Sequence, residues 1–155
     1  MSKENAAIKL IAQNKNAYRN FELLDKLEVG VVLLGNEVKS IRQGNVTLRD
    51  SFAKIDKEEL WLMNCHIAPY EQANSFYKID PTRNRKLLLH KRELLRWLGK
   101  VHQKGLAIIV TKLYFRNNKV KVQVALGKSK KLHDKRQSLK EKSIKRDIQR
   151  GLKSR

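Results

Sequence analysis

Only one cysteine, Cys65, occurs in the 155 residues. That excludes an intramolecular disulfide and every multi-cysteine zinc pattern, so packing and hydrogen bonds must hold the fold. Two prolines, Pro69 and Pro81, are the only ones present, and neither they nor the seven glycines gather into an interdomain linker. No stretch approaches the roughly 18 apolar residues of a membrane span. The opening MSKENAAIKLIAQNK lacks the apolar region and small-residue cleavage site of a signal peptide. There is no internal repeat. A reduced, cytoplasmic, soluble protein is the expectation.

Catalytic patterns are missing as well. No GxxxxGK[ST] loop is present, and His66, His90, His102 and His133 are too irregularly spaced for HExxH or HxE. Cys65 and His66 are adjacent, and neighbours on a strand face opposite ways, which is poor geometry for a shared metal or a nucleophile–base pair. The acids are scattered rather than paired. No catalytic residue, metal or cofactor is therefore assigned. A small ribonuclease acting through His133 and nearby lysines is the enzymatic alternative.

What the chain has in excess is positive charge. Lys and Arg number 35 against 15 Asp and Glu, for a formal net charge of +20. Such a charge favours a polyanion, by counterion release and long-range steering. The last 28 residues, Lys128 to Arg155, hold twelve of the basic residues and three of the acids. There Leu139, Ile144, Ile148 and Leu152 recur mostly four apart among Lys, Arg and Gln, which is the pattern of a basic amphipathic helix. Isolated helices of this length are marginal in water, so the tail is expected to be disordered when free and to order on a polyanion. Its stripe lacks Trp and Phe, which argues against a membrane surface.

Residues 1–127 form the expected body, large enough for one core. Val29 to Leu34 reads as a strand ending in a Gly35-Asn36 turn, and Gly35 to Gly44 as a short helix beginning near Asn36. Val46 to Ile55 and Leu60 to Ile67 read as two strands joined around Asp56-Lys57-Glu58, and Ala68 to Arg85 as a long polar connection. Leu94, Leu95, Trp97, Leu98 and Val101 fall at helical spacing before a C-cap at Gly105. Leu106 to Phe115 and Val120 to Leu126 form a hairpin, with Val120, Val122 and Val124 inside and Lys119, Lys121 and Gln123 facing solvent. The expected fold is mainly β: an OB-like antiparallel barrel with flanking helices.

The richest binding signal is DPTRNRKLLLHKR, Asp80 to Arg92. Arg83, Arg85 and Lys86 are suited to phosphates. Leu87 and Leu89 serve the core, while Leu88 points outward, where it can pack on an unstacked base or ribose. Glu28 is either a plain surface acid or an acceptor for a base amino group. Tyr18, Phe21, Phe76 and Tyr77 are aromatic residues available either to stack on bases or to fill the core.

Three blocks then converge: GNEVKS (Gly35 to Ser40) followed by Arg42, DPTRNRKLLL (Asp80 to Leu89), and Gly127 to Arg136 ending in HDKR. Together they resemble the small protein B, or SsrA-binding protein, family, in order from about Ile8 to Arg136. The resemblance implies a noncatalytic OB-like body and a basic tail, 128–155, that is helical on the ribosome. It implies a monomer bound 1:1 to the tRNA-like domain of transfer-messenger RNA, standing where the missing anticodon arm would be. It further implies a tail that reaches the 16S rRNA decoding centre and the empty mRNA channel of a stalled 70S ribosome, allowing peptide tagging and rescue.

Carried over by position, Asn14, Lys15, Glu28, Leu88 and His90 are implied RNA contacts, beside Lys39 and Arg42 of the first block. The solvent-facing Lys119 and Lys121 join that set. Lys128, Lys130 and Lys131 match the basic lead-in to the tail, and His133, Asp134, Lys135 and Arg136 the decoding-centre motif. Ile144 and Ile148 belong to the channel helix. Ser129 departs from the family by interrupting a lysine run, and Ile144 stands near a position where some members have Trp. The alternative within binding proteins is a general basic RNA chaperone or ribosomal protein on the same barrel.

Overall fold

In a computed structural model of the chain, residues 7–71, 79–130 and 132–153 are described. Nine strands and four helices follow one another among them: β1 (Ile8–Gln13), α1 (Lys15–Asn20), β2 (Phe21–Val31), α2 (Gly35–Arg42), β3 (Val46–Thr47), β4 (Phe52–Asp56), β5 (Glu59–Met63), β6 (His66–Ile67), β7 (Arg85–Leu88), α3 (Lys91–Lys104), β8 (Ala107–Arg116), β9 (Lys119–Ser129) and α4 (Leu132–Lys153). The main sheet runs β1-β8-β4-β5-β7-β2-β9, and a further β8–β9 pairing closes the strands from β8 to β9 into a ring, with β1 paired to β8 alone. Every pairing is antiparallel. The long β8 makes this closure possible by dividing one edge between two partners. Ile108 and Ile109 pair with β4, whereas Lys112 to Arg116 pair with β1.

Alternation decides which side chains fill the ring. Leu60 and Leu62 of β5, Leu87 of β7, Leu113 of β8, and Val122 and Val124 of β9 are all buried in one cluster with Val29, Ile41 and Trp97. The β8–β9 hairpin turns at Asn117 and Asn118, with φ of 50° and 63°; asparagine tolerates this left-handed conformation better than most residues. Helix α3 ends at Gly105, whose φ is 61°. Its Trp97 Nε1 donates to Asp25 Oδ2 at 3.3 Å, and Arg96 and Lys100 each reach that oxygen at 3.6 Å, tying α3 to β2.

Some elements differ from the sequence reading. The strand expected from Val29 begins at Phe21, with a register shift between Leu23 and Asp25. The single strand expected over Val46 to Ile55 is two, β3 and β4, because Ser51 turns back by both its N–H and Oγ onto the Leu48 carbonyl. The span Leu60 to Ile67 likewise divides into β5 and β6 around Asn64, φ 57°. Strand β9 runs on to Ser129, so Lys128 is a strand residue opposite Glu22. Beyond it, α4 is a 22-residue helix that sets out beside α1, where the Lys130 N–H donates to the Asn20 carbonyl at 3.0 Å.

Candidate nucleic-acid interface

The outer face of the ring carries the exposed features. Leu88 is 50% exposed between buried Leu87 and partly buried Leu89, as the strand period requires. Its cross-strand partner is Gly30, where an added Cβ would meet Leu88 Cβ at 3.4 Å, so the absent side chain leaves a shallow floor beside the leucine. The same register row continues from Gly30 to Lys121, Tyr114 and Leu10 across β9, β8 and β1. Leu10, at 52% exposure, closes the row as Leu88 opens it.

Glu28 lies two residues before Gly30 on the same face. Its Oε2 accepts from the Tyr114 hydroxyl and lies 3.3 Å from Arg116 Nη2. Burial raises the pKa of Tyr114, and the hydrogen bond to Glu28 and its charge raise it further, so the phenol remains a donor. Glu28 is therefore a held carboxylate, not a loose surface acid. Tyr114 and Arg116 carry no signal in the sequence, because the tyrosine's link to Glu28 spans 86 residues. Lys119 is exposed and Lys121 half-buried at the same hairpin.

Two of the expected contacts are buried and bonded within the fold. Arg85 is fully buried, with Nε on Glu37 Oε2 at 2.6 Å, Nη1 on the Cys65 carbonyl at 2.7 Å and Nη2 on the Pro81 carbonyl at 2.9 Å. Three of its five N–H groups are thus bonded within the fold, and its side chain has no exposed surface. Asn14 is 3% exposed; it caps α1 by accepting from the Ala17 N–H and donates to the Val110 carbonyl at 3.0 Å.

Arg83 shares the Glu37 carboxylate with Arg85 through Nε at 3.2 Å and a short Nη2 contact, while keeping part of its surface in solvent. Burial pushes the Glu37 carboxyl up. Hydrogen bonds from Arg83, the Leu34 N–H and Arg85 outweigh that and hold it below its ordinary value. Cys65, pushed up by burial to about 11, is an inert core thiol.

The remaining positions are peripheral. Lys15 opens α1 and is exposed; Lys39 and Arg42 are exposed on α2, with Lys39 Nζ 5.4 Å from the Tyr70 ring centroid. Lys86 pairs with Glu59 at 3.2 Å. His90 is the N-cap of α3 and makes no capping bond with its side chain, so the imidazole is available. Of the aromatics weighed for stacking, Tyr18 and Phe21 are half-buried, with Lys26 Nζ 5.7 Å from the Tyr18 ring centroid. Phe76 and Tyr77 lie outside the described residues.

Comparison with known proteins decides the family. The model of the SmpB protein family matches residues 11–154. The SsrA-binding protein of Thermosynechococcus vestitus is 52% identical over 149 residues, covering 96% of this chain and 98% of that one. The SsrA-binding protein of Carboxydothermus hydrogenoformans is 50% identical over 147 residues, covering 95% and 98%. The chain belongs to the SmpB family.

A solved structure described as "tmRNA-SmpB: a journey to the center of the bacterial ribosome" contains a chain that is 47% identical, with a TM-score of 0.64 over 78% of this chain and 85% of that one. The ring of strands with flanking helices is thus the SmpB fold. The family match reaches into α4, where Leu139, Ile144 and Ile148 are exposed. At the root of this tail, Lys128 is exposed and Lys130 Nζ approaches the Tyr18 carbonyl at 3.5 Å. The side chains of His133, Asp134, Lys135 and Arg136, and Lys131 entirely, lie outside what is described. Among the described residues, no helix is long and apolar enough to cross a membrane, and no group of His, Cys, Asp and Glu could hold a metal.

Proposed function

We propose that this protein is a noncatalytic RNA-binding factor of trans-translation, working in the cytoplasm as a monomer. Its body binds the tRNA-like domain of transfer-messenger RNA 1:1 through the outer face around Leu88, Gly30, Glu28 and Lys121, with Lys15, Lys39, Arg42, Arg83, Lys86, His90 and Lys119 around it. Its tail, disordered when free, enters the 16S rRNA decoding centre and empty mRNA channel of a stalled 70S ribosome as a helix, with the HDKR block at its start. This permits peptide tagging and ribosome rescue. The observation that carries the reading is Leu88 itself: an aliphatic side chain half in solvent, beside a glycine floor and a held carboxylate, in a body of strong positive charge. A folded RNA with splayed bases uses such a surface, since bases pack on apolar groups and hydrogen-bond to fixed acceptors while lysines meet phosphates.

The test is binding to transfer-messenger RNA at physiological salt against excess bulk tRNA. Tight 1:1 binding that survives the competitor, and that Leu88→Asp weakens without lowering the unfolding midpoint, is the expected outcome. Binding erased by the competitor would reduce the protein to a general basic RNA chaperone.

A further inference from the structure

We propose that the outer face of β4, β5 and β7 carries a second RNA subsite, where Trp61 stacks on one unpaired nucleobase of a single-stranded segment. Nothing in the Leu88 reading requires a base on Trp61, although the two surfaces adjoin, with Lys86 two residues from Leu88 on the same face of β7. The register places Lys54, Trp61 and Lys86 directly across from one another, and Phe52 beside Met63 in a neighbouring row. All five alternate with buried residues and so point outward: Ala53, Leu60, Leu62, Arg85 and Leu87 face in. A large aromatic with a lysine on each flank, on a solvent-facing sheet, does nothing for the core.

The surface there is concave. A cavity of about 460 Å³ is lined by Lys54, Asp56, Lys57, Glu59, Trp61, Met63 and Asn84, a volume in the range of small-ligand sites. Trp61 and Met63 give it an apolar wall, and Asn84 offers both a donor and an acceptor to a base edge. The charge on the rim selects the occupant. Lys86 neutralises Glu59 at 3.2 Å, while Lys54 and Lys57 make no ion pair among the described residues, leaving two cations against Asp56. Aromatic wall plus unpaired lysines is the combination that holds single-stranded nucleic acid, the ring taking the base and the ammonium groups the phosphates. An uncharged apolar peptide would use the wall and leave the cations idle.

The full-length protein carries its own reporter. Trp97, the other tryptophan, is 1% exposed, so a change in emission on adding RNA reads Trp61. The probe is a short, unstructured oligoadenylate, compared with an oligomer of equal length whose sugars lack bases. Oligoadenylate is expected to quench Trp61 and to bind more tightly than the abasic oligomer. Trp61→Ala should weaken oligoadenylate binding about tenfold or more, and Trp61→Phe should keep most of it. If Trp61→Ala fails to fold, the comparison of the two oligomers on the wild-type protein still decides. Equal affinity for both oligomers, or wild-type oligoadenylate binding by Trp61→Ala, would overturn the proposal, as would quenching by an acidic peptide but not by oligoadenylate. Retained oligoadenylate quenching without selective transfer-messenger RNA binding would sink the rescue reading and leave this subsite standing.

Discussion

The Glu37 carboxylate is a single group on which two arginines and a loop depend. Arg85 pairs with this acid, and two more of its N–H groups fix the Cys65 and Pro81 carbonyls. Replacing the acid leaves a buried guanidinium without its counter-charge, a change that costs about 3–5 kcal/mol. Glu37→Gln should therefore lower the denaturant midpoint sharply, and a loss below about 1 kcal/mol, the size of an ordinary neutral hydrogen bond, would mean that the amide alone holds the knot. The pH dependence follows from the lowered pKa. Stability from this carboxylate is fully present above its ordinary value of 4.5 and is lost as pH falls through the depressed folded value. Acid titration of the wild-type protein should show a loss below about pH 4.5 that is missing in Glu37→Gln. This knot also marks where sequence reading stops. Alternation alone gives Leu88 its outward place, because that rule is local. The same rule faces Arg85 inward, as it does Leu87, yet an isolated buried charge is so costly that an arginine reads as a phosphate ligand until its partner, 48 residues away, is known.

Elements are legible where period and turn chemistry agree and illegible where a kink breaks the period. The β8–β9 hairpin, with valines inside and asparagines at the turn, stands nearly as its pattern predicts, as does α3 with its glycine cap. Strand β2 reads as starting at Val29 because Leu24 stands exposed and Asp25 half-buried, the reverse of the polarity that alternation leads one to expect there. The ring itself rests on close strand contacts that only the fold displays. At Gly127 an added Cβ would sit 3.0 Å from Ile109 Cγ1 and 3.2 Å from Phe21 Cβ, both in strands that the ring holds in place. Gly127→Ala should cost about 1–3 kcal/mol by overpacking, read as a fall in the thermal midpoint with the fold retained. An unchanged midpoint would show that β2 and β9 can part slightly at no cost.

For the whole molecule the governing quantity is how its charge of +20 is divided. Twelve of the basic residues lie from Lys128 onward, and α4 carries an exposed stripe, with Ile144 and Ile148 50% and 58% exposed. A helix this polar, with its apolar residues in water, gains little from the body and much from a surface that covers them. If body and tail address different partners, truncation after Leu132 should leave the affinity for free transfer-messenger RNA nearly intact, along with the slope of log affinity against log salt. Every phosphate that the shortened protein ceased to neutralise would make that slope shallower by close to one unit. Tagging on stalled ribosomes should meanwhile disappear. Measuring both on one preparation separates the possibilities. A slope that falls by several units, with binding and tagging abolished together, would make the tail an electrostatic anchor for any RNA. An unchanged slope with tagging gone would assign the body to recognition and the tail to the ribosome.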